Sequence, residues 1–252
     1  IRYVHWLGDA LTGDFGYSPY RRRDVADLLG TALRNTVKLA LASAVIGVGA
    51  GVTLGAIAAV NRGRFIDRLV SMLAMTGISV PSYWVAILLI IVFSANLQWL
   101  PAGGMSSGSG GLVDSLKHLI MPAFASAFVS IGVTARMMRA SLLETYGQDF
   151  VDTLRAKGLT GRQILVHVAK NAASPVLTVA GLQVGFLLGG SVLIETIYSW
   201  PGLGQLIFQA ITARDFRVIQ AGILVVAVTF VLANLVVDML QLVIDPRLRK
   251  AA

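Results

Sequence analysis

Long apolar runs alternate with short charged segments along most of this chain. The runs at 39–60, 69–97, 119–143, 171–194 and 218–237 carry few charges or none. Each is long enough to cross the roughly 30 Å hydrocarbon core of a bilayer as a helix. The pattern predicts an all-α fold, a polytopic transmembrane helical bundle with about five spans.

Small residues recur at four-residue steps in the first and fourth runs. They are Gly47, Gly51 and Gly55, and then Gly181, Gly185 and Gly189. Glycines at this spacing form a ridge on one helix face, which lets another helix approach closely. Gln183 is polar and lies inside the fourth run, so we expect it to bond across helices or to face a cavity. These residues predict packing and pathway walls.

Two features modify the predicted spans. Pro81 lies in the middle of the second run, where it is expected to kink the helix or to end it. Arg136 and Arg139 fall in the last turns of the third run, and their long stems can extend to the cytoplasmic interface.

Composition supports a membrane protein. Apolar residues make up 56% of the chain and charged residues 13%, whereas soluble domains carry about 25% charged residues. The net charge is +8, but the basic residues flank apolar runs, which is typical of cytoplasmic anchoring and not of a nucleic-acid partner. The absence of cysteine excludes a disulfide framework, a thiolate metal site and a thiol nucleophile.

The distribution of Lys and Arg predicts which segments face the cytoplasm. Residues 61–68, the segment at 144–170 and the tail at 246–252 are basic, so they are assigned to the inside, and 39–245 forms the transmembrane domain. Residues 1–38 are then extracytoplasmic or interfacial, although they contain the Arg21–Arg23 cluster. An additional helix before residue 1, which we expect, would remove that conflict. Within this segment, 24–38 fits either an amphipathic surface helix or a solvated connector.

The segment after the fourth run resembles an interfacial or re-entrant element on the outer side. Glu195 is expected at a span end that water can reach. A turn at Trp200, Pro201 and Gly202 precedes a short amphipathic helix that carries Leu206.

The residues that usually carry chemistry do not cluster. No Gly-Lys pair occurs, so we do not expect this chain to bind ATP itself. His5, His118 and His167 are assigned to different sides, so no metal site is expected. No paired carboxylates share a helix. The sequence predicts no catalytic centre.

The segment 144–170, which we call the elbow, is short, charged and patterned. Gly158 is placed to end a first helix, and Thr160 with Gln163 reads as a capping box that starts a second one. Apolar residues occupy one side of each helix, and the elbow cannot bury them alone. They are Phe150, Val151 and Leu154 in the first helix, and Ile164, Leu165 and Val168 in the second. Two interpretations fit: a docking element for a soluble partner, or a connector that lies against its own transmembrane helices.

The elbow resembles the loop of bacterial ABC-importer permeases in which an acid, two alanines and a glycine precede a helix that docks on an ATPase subunit. The acid is Asp152 and the glycine is Gly158, at the family spacing. Thr153 and Leu154 replace the alanines, but Arg155–Leu159 (RAKGL) is the form common in the peptide-permease branch. GDFGYS at 13–18, the stretch 195–220 and NLVVDMLQLVIDPRLR at 234–249 also resemble the first permease of that branch.

The resemblance implies a type I ABC-importer permease of the bacterial inner membrane, with a first helix missing from this sequence. It implies a second permease subunit, two ATP-binding subunits that hold ATP and Mg, and an extracytoplasmic substrate-binding protein. It places ATPase coupling on the elbow residues named above together with Ala156, Lys157 and Leu159, and it favours the docking interpretation. Peptides are the expected substrate, with nickel, glutathione or opine-like compounds as alternatives within the family. A secondary transporter or channel is the alternative from another class.

Overall fold

The described part of the chain is almost entirely helical. The computed structural model describes residue 6 and residues 8–10, 12–107, 110–190 and 192–244. The helices are α1 (Val25–Val60), α2 (Phe65–Ser79), α3 (Ser82–Leu89), α4 (Leu112–Tyr146), α5 (Asp149–Ala156), α6 (Gly161–Gly190), α7 (Val192–Ile197), α8 (Leu203–Thr212) and α9 (Phe216–Ile244). A π-helical segment, Ile90–Asn96, follows α3, and strands β1 (Tyr17–Ser18) and β2 (Arg23–Asp24) pair antiparallel before α1.

Among the described residues, four helices are long and apolar enough to span a membrane, namely α1, α4, α6 and α9. A fifth span results if α2 and the segment Ser82–Asn96 are counted together, although they meet at an angle of 104°. This confirms the predicted all-α bundle of about five spans. The short helix predicted after the Trp-Pro-Gly turn is also present, as α8.

Pro81 ends a helix and does not merely kink one. α2 stops at Ser79, and Val80 adopts the extended conformation that a following proline favours, with φ −85° and ψ 127°. Helix resumes at Ser82 in the new direction. The 104° bend is the geometry of a broken span or of a re-entrant loop.

Two boundaries differ from the sequence-based prediction. Residues 25–38 are neither a separate surface helix nor a connector, because α1 runs without a break from Val25 to Val60. The apolar face of that first part, with Val25 and Leu29, is buried against α8 and α9. The second helix of the elbow and the fourth span are likewise one helix, α6. The predicted tail at 246–252 lies outside the described residues.

The chain divides into two compact units. The first consists of Ile1–Ser43, Ser82–Ser126 and Gly185–Ala233, and the second of Ala44–Pro81, Ala127–Val184 and Asn234–Ala252. One core of the first unit surrounds Leu203 and Val218, and another surrounds Met121 and Tyr198. The core of the second unit surrounds Leu142 and Val168.

The glycine ridge of α1 packs against α4 inside the second unit. A Cβ added to Gly47 would lie 2.8 Å from the Oγ of Ser130, and one added to Gly51 would lie 2.6 Å from the Cβ of Thr134. A Cβ on Gly55 would overlap the carbonyl oxygen of Ala135. The close helix approach predicted from this spacing therefore occurs.

A polar network organises the first unit, and its centre is Glu195. The sequence suggested a water-accessible acid, but the residue is fully buried. The Thr36 hydroxyl donates to Glu195 Oε1 at 2.7 Å, and the backbone N–H of Gln205 donates to Oε2 at 3.0 Å. A side chain on Gly202 would overlap the carboxyl group, so glycine is required at that turn.

The same network fixes the Trp-Pro-Gly turn to α1. The indole N–H of Trp200 donates to the Asn35 carbonyl oxygen at 3.0 Å, and the Asn35 amide donates to the Pro201 carbonyl oxygen at 2.9 Å. The Leu203 N–H donates to the Thr36 hydroxyl oxygen at 2.8 Å, which satisfies a donor at the start of α8. α1, α7 and α8 are thus joined by hydrogen bonds that no local sequence pattern revealed.

Replacing Gly51 by alanine tests the ridge. Gly49 lies two residues away on α1 and has open space around it, so Gly49→Ala is the matched control. Alanine is about 1 kcal/mol more favourable than glycine inside a helix, so this contribution to stability is the same in both variants. We expect Gly49→Ala to be neutral or stabilising and Gly51→Ala to lose about 1–3 kcal/mol by overpacking. Thermal unfolding of the purified protein in detergent measures this, and equal melting temperatures would contradict the packing.

Replacing Glu195 by alanine tests the polar network. The change leaves the Thr36 hydroxyl and the Gln205 N–H without this acceptor, and each buried unsatisfied group costs about 1–3 kcal/mol. We expect a lower melting temperature than for Glu144→Ala, which removes an exposed glutamate of α4. If both variants unfold at the wild-type temperature, the network contributes no stability.

Candidate coupling elbow

The elbow has the helix–glycine–helix geometry that the sequence predicts. α5 ends at Ala156, and Gly158 follows with φ +77°. The Gly158 N–H donates to the Arg155 carbonyl oxygen at 2.9 Å, and the Leu159 N–H donates to the Leu154 carbonyl oxygen at 3.2 Å. This pair of bonds is the Schellman motif, which needs a left-handed residue and therefore favours glycine.

The second helix begins with the predicted capping interaction. The Thr160 N–H donates to Gln163 Oε1 at 2.9 Å, and the Thr160 hydroxyl donates to the same oxygen at 3.0 Å. A capping box consists of two reciprocal hydrogen bonds, and the one from the Thr160 backbone N–H to the Gln163 side chain forms here. Thr160 and Gln163 mark the start of α6 at Gly161.

The expectation that the apolar face of the elbow lacks a cover within the chain is wrong. Val151, Ile164 and Val168 are buried, and Phe150, Leu154 and Leu159 are partly buried. They pack with Met138 and Leu142 of α4, with Ala59 of α1, and with Ala172 and Val176 further along α6. The elbow folds back on its own helices, so the connector interpretation is correct for this face.

A buried hydrogen bond adds to this attachment. The Ser141 hydroxyl of α4 donates to the Ala172 carbonyl oxygen of α6 at 2.9 Å. It joins the helix before the elbow to the helix after it, next to the apolar cluster. The elbow is therefore held by both side-chain packing and a directional bond.

The surface that the elbow leaves exposed is polar and mostly basic. Leu165 is half-buried and Val166 is 50% exposed. The exposed positions include Asp152, Ala156, Lys157, Gly158, Arg162, His167 and Lys170. Arg155 and Asp152 form an ion pair at 2.8 Å, but both side chains are solvated, so the pair contributes little stability. A partner that reaches the elbow would meet the turn around Gly158.

Sequence reasoning missed an ion pair near the elbow. The guanidinium of Arg139 on α4 donates to both carboxylate oxygens of Asp67 on α2, at 2.6 and 2.9 Å. The Gly63 N–H also donates to Asp67, at 2.9 Å. Arg139 thus pairs inside the second unit and does not simply extend to the interface. The sequence signal was an acid, Asp67, placed in an otherwise basic segment.

The remaining predicted residues do not converge on a reaction centre. Gly181 and Gly185 are buried in α6, and Gln183 is half-buried. Gly189 lies in α6, but its surroundings are outside the described part of the structure.

Burial raises the pKa of the Tyr198 hydroxyl, which donates to the Ala86 carbonyl oxygen. Within the described residues, no group of three or more His, Cys, Asp or Glu could hold a metal ion.

Comparison with known proteins extends the interpretation to the whole chain. Residues 51–250 match the family described as binding-protein-dependent transport system inner membrane component. The dipeptide transport system permease protein DppB of Alkalihalophilus pseudofirmus is 38% identical over 99% of this chain and 81% of that protein. The glutathione transport system permease protein GsiC of Escherichia coli K12 is 41% identical over 98% of this chain and 79% of that protein.

Solved structures support the same fold. The inward-facing MetNI methionine ABC transporter aligns with a TM-score of 0.68 and 19% identity, over 86% of this chain and 96% of that chain. An amino acid ABC transporter solved with histidines aligns with a TM-score of 0.61 and 17% identity, over 88% of this chain and 94% of that chain. At these identities, the likeness concerns the fold.

The helical spans, the similarity to two permeases along nearly all of this chain, and the fold agree with one another. They confirm the multi-span inner-membrane location, the transport role and the association with other ABC components that the resemblance implied. The family is one of importers, which removes the secondary-transporter alternative. The chain belongs to the binding-protein-dependent transport system inner membrane components and is a permease subunit of an ABC importer.

Proposed function

We propose that this permease translocates small peptides and that its elbow transmits the movement of partner ATPases to the transmembrane helices. The observation that carries the coupling role is the dual character of the elbow. Its apolar face is buried against α4 and α6, and its turn around Gly158 is exposed. An element that is fixed on one side and accessible on the other can transmit a displacement.

The substrate class rests on the two kinds of relative. One is named for dipeptides and the other for glutathione, at 38% and 41% identity. Both substrates are short peptides with free carboxylates, so a small peptide is the class that they share. Neither of these two relatives is named for nickel or for an opine-like compound, the other candidates within the family. We therefore assign peptide transport and leave the preferred length to experiment.

Movement of the elbow would act on a transmembrane helix directly. α6 runs from Gly161, at the elbow, to Gly190 without a break. A helix rises about 1.5 Å per residue and is stiff along its axis. A push on the turn at Gly158 is therefore transmitted along the first part of α6, up to Pro175, where the helix loses a backbone hydrogen bond. The contact with Leu142 makes α4 follow.

The proposed mechanism is alternating access. Two conformations expose the pathway to opposite sides, and ATP on the partner subunits and the loaded receptor each favour one of them. A ligand shifts such an equilibrium only by its differential affinity for the two states. The coupling between the sites is reciprocal, so receptor loading and nucleotide binding influence each other through this chain.

This mechanism requires partners. We propose a second permease subunit, two ATP-binding subunits that carry ATP and Mg, and an extracytoplasmic substrate-binding protein. This chain is assigned no nucleotide site and no catalysis, because it lacks the Gly-Lys signature of a phosphate-binding loop.

Replacing Gly158 by proline tests the coupling role. Proline is incompatible with φ +77° and removes the N–H that donates to Arg155. We expect the variant to reach the membrane but to lose ATP-coupled uptake and co-purification of the ATPase.

Gly13→Pro is the matched control. Gly13 also has a positive φ, +89°, and its N–H also donates to the carbonyl oxygen three residues earlier, that of Ala10, but it lies outside the elbow. If both variants lose uptake to a similar extent, general disruption of the backbone explains the loss, and the elbow has no special role. Normal uptake with Gly158→Pro would exclude the elbow as the coupling element.

Uptake in a strain that lacks this gene tests the substrate. We expect the complementing full-length gene to restore uptake of labelled dipeptide or glutathione and to leave nickel uptake unchanged. An excess of unlabelled dipeptide should lower the uptake of the labelled substrate by competition. Restoration of nickel uptake alone would contradict the peptide assignment while leaving the importer function intact.

A further inference from the structure

A cavity of about 450 Å³ opens between three helices of the second unit. α1 contributes Ala58, and the walls otherwise come from one face of α2 and one face of α4. The apolar lining residues are Ala58, Val70, Ala74, Met75, Ala135 and Ala140. The charged lining residues are Asp67, Arg68, Arg136 and Arg139. The cavity is thus apolar on its walls and positively charged at a few points.

Two of its arginines have no counter-ion within the part of the chain that the structure describes. Arg139 is neutralised by the two-bond pairing with Asp67. Arg68 and Arg136 are exposed, and neither takes part in an ion pair with a described residue. The cavity therefore has an excess of positive charge that an anion would balance.

The Asp67–Arg139 pair also fixes the cavity walls. It ties the first turn of α2 to α4, and the Gly63 N–H holds the same carboxylate. A cavity whose walls are already fixed loses less entropy when a ligand binds than a flexible one does. The two unpaired arginines are presented by helices that this pair keeps in place.

The surface next to the cavity suits an amphiphile. Arg68 lies in the first turn of α2, directly after the basic turn at 61–64. Further along α2, Met72 and Met75 follow Arg68 at four and seven residues, so they lie on the same side of the helix as Arg68. Both are exposed, Met72 by 66% and Met75 by 60%. At 1.5 Å per residue, Met75 lies about 10 Å along the helix from Arg68. Positive charge at one end and an apolar surface beyond it match a lipid headgroup and its acyl chain.

We propose that this cavity binds an anionic phospholipid. Arg68 and Arg136 hold the phosphate, because a guanidinium presents paired N–H donors that match phosphate oxygens. An acyl chain lies along Met72 and Met75 of α2. Basic pockets between helices near the cytoplasmic surface are suited to anionic headgroups, which are enriched in that leaflet. The proposal does not depend on which substrate is transported.

Lipid retention by the full-length chain in its transport complex tests the proposal. Native mass spectrometry after exposure to phosphatidylglycerol or phosphatidylcholine should detect one phosphatidylglycerol retained per chain and no comparable retention of phosphatidylcholine. Soluble glycerol phosphate should not displace the lipid, since it lacks the acyl chain. Equal retention of both lipids, or displacement by glycerol phosphate, would overturn the proposal.

Paired charge variants separate the cavity from general surface charge. We expect Arg68→Gln with Arg136→Gln to lower phosphatidylglycerol retention by roughly tenfold or more. Arg62→Gln with Arg64→Gln removes the same charge from the adjacent turn but changes no residue that lines the cavity. Equal losses in the two double variants would show that only non-specific attraction is involved.

A single cysteine identifies the occupant. The chain has no cysteine, so Met75→Cys places a unique thiol on the cavity wall. In the delipidated complex this thiol should react with a maleimide, and phosphatidylglycerol, but not phosphatidylcholine, should slow the reaction. Protection without lipid would mean that another protein chain covers the cavity, and the lipid site would be rejected.

Discussion

The structure depends on the burial of the elbow's apolar face against its own chain. Val151 and Val168 have no exposed surface, and they pack with Met138 and Leu142 of α4. A fully buried valine contributes about 1.5–3 kcal/mol relative to an exposed one. That attachment prevents the elbow from moving independently of the helices on either side of it. A loosely attached connector would absorb an applied displacement, whereas the coupling role that we propose requires an elbow attached to α4 and α6 in this way.

A bilayer offers few partners for polar groups, and two of the buried acids, Glu195 and Asp67, are satisfied in different ways. Glu195 accepts hydrogen bonds from an uncharged hydroxyl and a backbone N–H. Asp67 accepts two bonds from a guanidinium. In each case a bond from another side chain, Thr36 or Arg139, joins helices that are distant in sequence, so each acid fixes tertiary structure as well as satisfying its own oxygens.

The sequence was most informative where the structure is set by neighbours along the chain. Run length predicted the spans, and Gly158, Thr160 and Gln163 predicted the turn, because caps depend on residues two to five positions apart. The ridge that includes Gly51 was visible for the same reason. Local pattern also indicated that an elbow residue such as Val168 needed a cover, but it could not identify the cover as α4.

The features that sequence reasoning missed depend on long-range pairing. Glu195 meets Thr36 across 159 positions, and Arg139 meets Asp67 across 72. No periodicity encodes such partners, so both ionisable residues were assigned to water-accessible interfaces. The same limit explains why residues 25–38 were not recognised as part of α1. Their apolar face is covered by α8 and α9, which lie far away in the sequence.

Within the second unit, α4 places the proposed lipid site and the elbow on the same rigid element. Arg139 pairs with Asp67 at the cavity, and the adjacent residue, Met138, belongs to the cluster that covers the elbow. A rotation of α4 that changes one contact must therefore change the other. If the two transport conformations differ in this rotation, an anionic lipid has different affinities for them and shifts their equilibrium. Reciprocity then requires ATPase engagement at the elbow to change lipid affinity by the same factor.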